Sequence, residues 1–205
     1  MITNKYFITT RKIPTYIKYL LAKKQSGGRL PSGYQELEYL ESADETYQTK
    51  QYIDTGVKGD LGTKVEIDFE PTGNYFRVFG TNSGSYVKNF CIKSRGSLIG
   101  TKITIGIGDY LYNGAETSNK RYNISMSYND GIFIDGVLVE KWTNISSFET
   151  DRTLPAFCFN NNGYIDPMRM KLYSLKIYKE NVLVRDFIPA LRKSDSEPRT
   201  LWYSK

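Results

Sequence analysis

The sequence predicts an all-β fold in which two antiparallel sheets pack face to face as a sandwich. From residue 34 onward, short runs of alternating apolar and polar residues follow one another, and residues typical of tight turns separate them. Aromatic residues are abundant, with 17 Tyr and 10 Phe, and these residue types favour strands. The one strong helical pattern lies within residues 1–29.

The clearest strand is predicted over residues 64–70. Val65, Ile67 and Phe69 alternate there with three acidic residues, so the strand has one apolar face and one charged face. Further strands are predicted over residues 37–40, 77–79, 90–92, 102–107, 122–128, 131–139, 170–178 and 183–188.

The strand over residues 102–107 repeats this alternation, with Ile103, Ile105 and Ile107 expected to face the core. Strand tyrosines such as Tyr173 are expected to pack inside the sandwich, as is Tyr178. Tight turns are predicted at residues 80–85, 129–131, 135–136 and 180–181.

The positive charge of the chain is concentrated at its N-terminal end. Seven of the 28 basic residues lie within residues 1–30, where no Asp or Glu occurs. The remaining 175 residues carry 21 basic and 22 acidic side chains, a net charge of −1. A block of like charge indicates a partner with a complementary surface.

A short amphipathic helix is predicted inside this basic arm. Pro14 suits a first helical turn, and the apolar residues recur at helical spacing. About eleven residues are too few for a stable isolated helix, so it needs a surface to lie against. A partner protein is our preferred surface; the chain's own body and a membrane surface are the alternatives. The arm residues expected to bind the partner are Lys5, Arg11, Lys12, Ile13, Ile17, Lys18, Leu20, Leu21, Lys23, Lys24 and Arg29.

Composition excludes several kinds of chemistry. Histidine is absent, which excludes Ser-His-Asp and Cys-His catalysis and the usual zinc sites. Cys91 and Cys158 each lie in an apolar run and are expected to be buried free thiols. No run of 18 apolar residues predicts a membrane span, and the first residues lack the apolar core of a signal peptide. We therefore expect synthesis without classical export.

Three stretches of the chain resemble a known family. They are LPSGYQELEYLES at 30–42 followed by QYIDTG at 51–56, then IFIDGVLV at 132–139, and MKLYSLKIY at 170–178 running into LVRDFIPA at 183–190. Together they resemble the concanavalin A-like lectin/glucanase domains, related to laminin-G jelly rolls, of tailed-phage and prophage proteins from gut bacteria. The resemblance divides the chain into a basic arm (1–29), a jelly-roll domain (30–191) and a C-terminal tail (192–205).

The resemblance implies a two-sheet antiparallel jelly roll and a place on the virion surface, as a capsid decoration protein, head fibre or tail component made in the bacterial host cytoplasm. We expect a non-enzymatic homo-oligomer whose arm binds an acidic capsid or tail protein. Its sandwich then binds host-surface glycan or simply decorates the particle. The alternative is a soluble carbohydrate-binding protein or glycoside hydrolase of the same fold, with the arm incidental.

The catalytic candidates are Glu66, Asp68 and Glu70. The run over residues 66–70 resembles the catalytic strand of retaining glucanases of this broad fold, whose outer glutamates act as nucleophile and acid/base. Their mechanism needs two carboxyl groups about 5 to 5.5 Å apart. An amphipathic strand with a polar outer face produces the same pattern. Trp142 and Trp202, which could stack on a sugar, lie far from it in sequence. We prefer the structural interpretation.

Other ligands have weaker signals. Calcium is bound by some domains of this type, and its candidate ligands here are Asp54, Asp109, Asp135 and Asp166. These acids do not form a spaced cluster, so we prefer roles in turns for them. No other cofactor is expected. Nucleic acid is disfavoured, because the body is not basic. Tyrosines on loops and an asparagine-rich loop suit glycan recognition, so the glycan-binding candidates are Tyr75, Tyr86, Tyr110, Tyr112, Asn160, Asn161, Asn162 and Tyr164.

Overall fold

A computed structural model describes residues 33–42, 52–72, 77–84, 87–95, 102–116, 120–192 and 200–203. These residues form an all-β protein with two sheets, which confirms the predicted all-β class, while the jelly-roll topology stays a prediction. The strands are β1 (Tyr34–Glu36), β2 (Leu40–Glu41), β3 (Ile53–Asp60), β4 (Thr63–Pro71), β5 (Phe79–Asn82), β6 (Asn89–Arg95), β7 (Lys102–Gly108), β8 (Tyr110–Glu116), β9 (Tyr122–Ser127), β10 (Gly131–Ile134), β11 (Val137–Glu140), β12 (Glu149–Ala156), β13 (Cys158–Asn161), β14 (Tyr164–Pro167), β15 (Met170–Lys179), β16 (Val182–Arg192) and β17 (Thr200–Tyr203).

The nine-stranded sheet has the order β1-β16-β15-β4-β9-β10-β11, with β17 paired to β16 and β2 paired to β15. All its pairs are antiparallel. Its centre is β4, which pairs along its whole length with β15 on one side and from Lys64 to Phe69 with β9 on the other. The charged side chains predicted on one face of β4 therefore have the side chains of β15 and β9 as neighbours on that face.

The eight-stranded sheet has the order β14-β13-β5-β6-β7-β8, with β12 pairing to β5 and β3. Its pairs are antiparallel except for β5 with β13, which run parallel. The hairpin β13–β14 therefore lies at one edge of this path, and β8 lies at the other.

The core lies between the two sheets. Ile67 and Phe69 from β4 and Phe90 and Ile105 from the other sheet belong to one cluster of buried apolar side chains. Burying each such side chain contributes about 1.5–3 kcal/mol relative to leaving it exposed. The inward alternation predicted over residues 64–70 is confirmed. The three isoleucines predicted to face the core over residues 102–107 are buried, but β7 is buried on both faces.

Several predicted elements differ from the structure. The strand expected over 37–40 is mostly wrong, because Leu37, Glu38 and Tyr39 lie between β1 and β2 and only Leu40 belongs to a strand. The turn expected over 80–85 begins later, because Gly80, Thr81 and Asn82 belong to β5 and pair with β6. Seven strands were not predicted: β1, β3, β8, β12, β13, β14 and β17.

The predicted helical arm, residues 1–29, lies outside the described residues. The segment assigned to the C-terminal tail contributes β17, which pairs with β16 from Ile188 to Leu191. Across the parts of the chain that the structure describes, no helix has the length and apolar character needed to cross a membrane.

Candidate functional site

The three acidic residues of β4 lie on one face of the nine-stranded sheet, as the alternation predicts. Val65, Ile67 and Phe69 are buried in the core on the opposite face. The carboxylates are partly buried, and each is engaged by a neighbouring side chain. We call this surface the carboxylate face; its members are Glu66, Asp68, Glu70, Lys64, Arg121, Lys171, Tyr173 and Tyr178.

Glu70 is held by two donors from β15. The hydroxyl of Tyr173 donates a hydrogen bond of 2.8 Å to Oε2, and the ammonium of Lys171 lies 3.1 Å from Oε1. Burial alone would raise the pKa of Glu70, but these two donors outweigh it, so the pKa lies below its ordinary value. Burial and the neighbouring carboxylate together raise the pKa of Tyr173.

Glu66 is held in the same way at the other end of the strand. The hydroxyl of Tyr178 donates a hydrogen bond of 3.1 Å to Oε2, and Lys64 lies 3.5 Å from Oε1. Lys64 also pairs with Asp130 at 3.2 Å. Burial, followed by the bond to Glu66, raises the pKa of Tyr178 to about 12.

Asp68, between the two glutamates, binds Arg121 through both carboxylate oxygens. The guanidinium donates one bond from Nε and one from Nη2, each of 2.7 Å. Its carbon lies 3.6 Å from the centre of the Tyr173 ring, and that ring lies 5.5 Å from the ring of Tyr39. Lys171 lies 5.1 Å from the Tyr39 ring centre. Cations and phenols therefore form one connected layer over Asp68 and Glu70.

The partners of these carboxylates were missed by sequence reasoning. Tyr173 and Tyr178 were expected inside the sandwich, and that expectation is wrong, because both hydroxyls bond to carboxylates on the outer face. The alternation of apolar residues does indicate an outward position for Tyr178, because Leu175 and Ile177 face inward. For Tyr173 the register shift between Leu172 and Ser174 obscures it.

The surroundings of Glu70 differ from those of the acid in a retaining glycosidase. A retaining enzyme needs one carboxyl group with a raised pKa as the acid, whereas the pKa of Glu70 is lowered. Trp142 is buried, and its indole nitrogen donates to the carbonyl of Ser127 at 2.7 Å, so it offers no ring to a sugar. The side chain of Trp202 lies outside the described residues.

The tyrosines at residues 110 and 112 were expected on loops, and this is wrong, because both lie on β8. The ring of Tyr110 packs edge-on against Trp142 at 5.1 Å, and its hydroxyl donates to Glu140 at 3.2 Å. Tyr112 is half-buried against the core. Both rings support packing at an edge of the eight-stranded sheet. Tyr75 and Tyr86 lie outside the described residues.

The asparagine-rich segment, residues 160–164, forms the tip of the β13–β14 hairpin rather than a long loop. The side-chain oxygen of Asn160 accepts a bond of 2.7 Å from the backbone of Gly163. The backbone of Asn162 donates to the carbonyl of Asn82 at 3.2 Å. Asn161 and Tyr164 are exposed. Polar amides and an exposed aromatic ring therefore meet at this tip, which is five strands away from β8.

The calcium candidates do not converge. Asp54 caps its own turn by accepting from the backbone of Gly56, and Asp135 accepts from Asn123 and Lys120. Asp166 pairs with Arg77. Asp109, the remaining candidate, is exposed. Within the described ranges, no group of three or more acidic, Cys or His side chains is placed to hold a metal ion.

The two cysteines are free and buried, as predicted. Burial raises the pKa of both thiols. The arm residues proposed as the partner-binding element all lie outside the described residues.

No protein-family model matches the chain, and a search of curated proteins returned no significant match. The family resemblance of the sequence therefore stays a prediction.

Proposed function

We propose that this chain is a non-enzymatic surface protein of a tailed-phage particle. Its basic N-terminal arm anchors it to an acidic capsid or tail protein, and its sandwich, a concanavalin A-like jelly roll, faces outward. The β13–β14 hairpin binds host-surface glycan.

The observation that carries the non-enzymatic part is the pairing of all three β4 carboxylates. Each accepts hydrogen bonds from its own side-chain donors: Glu66 from Tyr178, Asp68 from Arg121, and Glu70 from Tyr173 and Lys171. A catalytic pair would need one protonated and one free carboxyl group facing the substrate. The carboxylate face instead holds β4, β9 and β15 together.

The anchoring part is supported by the distribution of charge. Residues 1–30 carry seven basic and no acidic side chains, while the rest of the chain has a net charge of −1. Among the described residues, nine acids already pair with Lys or Arg of the sandwich itself, as Lys58 with Glu149 and Lys88 with Asp151 illustrate. An acidic partner protein offers the arm further carboxylates.

The glycan-binding part is supported by the chemistry of the hairpin tip. Asn amides donate and accept hydrogen bonds with sugar hydroxyls, and the exposed ring of Tyr164 offers an apolar face for a sugar ring. Tyr110 and Tyr112 are used for packing, which leaves the hairpin as the favoured position.

The test of the anchor uses particles purified from a phage that carries the gene. Mass spectrometry of wild-type particles should detect the chain, and a variant lacking residues 1–29 should be lost from particles. Circular dichroism and thermal unfolding of that variant should match the sandwich of the full chain.

A charge-only control separates electrostatic anchoring from loss of the segment. Replacing the arm's Lys and Arg residues with Gln keeps its length and apolar residues but removes its charge, so incorporation should fall steeply. Absence of the wild-type chain from purified particles would rule out the proposal, and full incorporation of the truncated chain would rule out the arm as the anchor.

A further inference from the structure

Arg152 differs from the charged residues beside it on β12. Glu149 pairs with Lys58 at 3.0 Å, and Asp151 pairs with Lys88 at 2.7 Å. Among the described residues, no carboxylate forms an ion pair with Arg152, and its side chain is exposed. The two acids of this segment are thus neutralised, while the guanidinium keeps its charge for a partner from outside.

The guanidinium of Arg152 lies against the tip of the β13–β14 hairpin. A Cβ atom at Gly163 would stand 2.9 Å from its Nη2 and 3.2 Å from its central carbon, so the cation crosses the turn at contact distance. At the other turn residue, the side-chain amide of Asn162 lies near Gly84, where a Cβ would stand 3.0 Å from its Nδ2. A cation, amide groups and the exposed ring of Tyr164 therefore share one corner of the eight-stranded sheet.

We propose that this corner binds a sugar that carries a carboxylate, a proposal that rests on the glycan-binding part of the proposed function and names its ligand class. A guanidinium matches a carboxylate through two parallel hydrogen bonds. The amides of Asn161 and Asn162 then bond to hydroxyls, and the ring of Tyr164 packs on the face of the sugar. A neutral sugar uses only the last two contacts, so it binds more weakly.

Two sources of such a ligand share this chemistry: a uronic acid and a sialic acid. Each has a matched neutral probe. Methyl β-glucuronide differs from methyl β-glucoside in having a carboxylate at C6, and 3′-sialyllactose differs from lactose by its acidic sugar. Titration calorimetry or NMR titration of the full chain with all four probes separates the sources, because the preferred acid shows the larger gain over its own neutral partner.

The variant that tests the corner is Arg152→Gln. We expect it to weaken binding of the preferred acidic probe by about tenfold or more, since a charge-assisted bidentate contact is lost, and to leave the neutral probe unchanged. Arg169→Gln is the matched control. Arg169 is exposed, and the same substitution there removes the same charge about 16 Å along an extended chain from Tyr164. The control should bind like the wild type.

The possible results separate this inference from the proposed function. Equal binding of acidic and neutral probes, or an equal loss in Arg152→Gln and Arg169→Gln, would overturn the acidic-sugar inference and leave glycan binding in place. Binding of none of the four probes would overturn both. Tyr164→Ala gives a further check, because it should weaken acidic and neutral probes alike.

Discussion

The guanidinium of Arg121 binds both carboxylate oxygens of Asp68 at 2.7 Å and at the same time lies 3.6 Å from the centre of the Tyr173 ring. Arg121 immediately precedes β9, Asp68 is on β4 and Tyr173 is on β15. The bond to Asp68 raises the pKa of Arg121. One side chain thus joins the three central strands of the nine-stranded sheet across its outer face.

Arg121→Lys should lower the free energy of unfolding by about 1 kcal/mol, because an ammonium can make neither the two parallel bonds nor the flat stack. Urea unfolding followed by fluorescence measures it. Because the Arg121 side chain is 51% exposed, a larger effect is not expected. Asp68→Asn should cost a similar amount, and the double variant should cost less than the sum of the two.

Lys120→Gln is the matched control for this prediction. Lys120 pairs with Asp135 at 2.8 Å, but the pair is more exposed than Arg121–Asp68. The urea midpoint should not change. If Lys120→Gln and Arg121→Lys had equal effects, the bidentate stack would have no special role.

Asp60 should make stability depend on pH. Its carboxylate receives bonds from Lys179 at 2.5 Å, Thr63 at 2.7 Å and the backbone of Gly62 at 3.1 Å. Burial opposes ionisation, but these donors outweigh it and the pKa of Asp60 falls below 3.8. The Asp60 carboxylate of the unfolded chain therefore takes up a proton at a higher pH than that of the folded chain. The stabilisation is fully present above the pKa of the unfolded state and is lost as the pH falls through the lower pKa of the folded state.

Asp60→Asn should lower the free energy of unfolding by about 1–2 kcal/mol at pH 6, and its difference from the wild type should shrink at pH 3. Urea unfolding at both pH values measures this. Asp109→Asn, at an exposed turn, should match the wild type at both. A difference between Asp60→Asn and the wild type that grows toward pH 3 would contradict the assigned pKa direction.

Gly80 should tolerate no side chain. It has a φ of 94°, and a Cβ there would stand 1.9 Å from the carbonyl oxygen of Phe90 on the neighbouring strand. Gly80→Ala should lower the free energy of unfolding by more than about 3 kcal/mol, since backbone strain and a clash with backbone add together.

Gly136 separates the two causes. It has a φ of 81°, but a Cβ there meets nothing within 4 Å. Gly136→Ala should therefore cost only the conformational strain, about 1–2 kcal/mol. Thermal unfolding of both variants measures the difference, and equal losses would show that space at Gly80 is not limiting.

The strands with strict alternation could be predicted from the sequence. Ile103, Ile105 and Ile107 signal β7 without help from the rest of the chain, and the Asp135-Gly136 pair signals the β10–β11 hairpin. In both cases the pattern is local, because the residues that set it lie in one strand or one turn.

The strands that were missed depend on distant contacts. β3 contains Gly59, which looks like a turn residue, but a Cβ there would lie 2.6 Å from the ring of Phe90, so glycine is required by the close approach of a side chain from β6. β12 contains Pro155, which argues against a strand, and β8 contains Asn113-Gly114, which is typical of a turn. Tertiary packing overrides these local signals.

The carboxylate face was predicted only in part. The alternation placed Glu66, Asp68 and Glu70 on one side of β4, yet their partners are remote in sequence: Tyr173 is 103 residues from Glu70, and Arg121 is 53 residues from Asp68. Only strand pairing brings them together. Whether a row of acids is catalytic or structural depends on these partners, so the sequence left both interpretations open.

The most direct test of the account measures new reducing ends when the purified chain is incubated with β-glucans of several linkages. Because tyrosine, lysine and arginine side chains hold the three carboxylates of β4, we predict no turnover, and the same absence of turnover for Glu66→Gln. Steady release of reducing ends by the wild type that disappears in Glu66→Gln would contradict it.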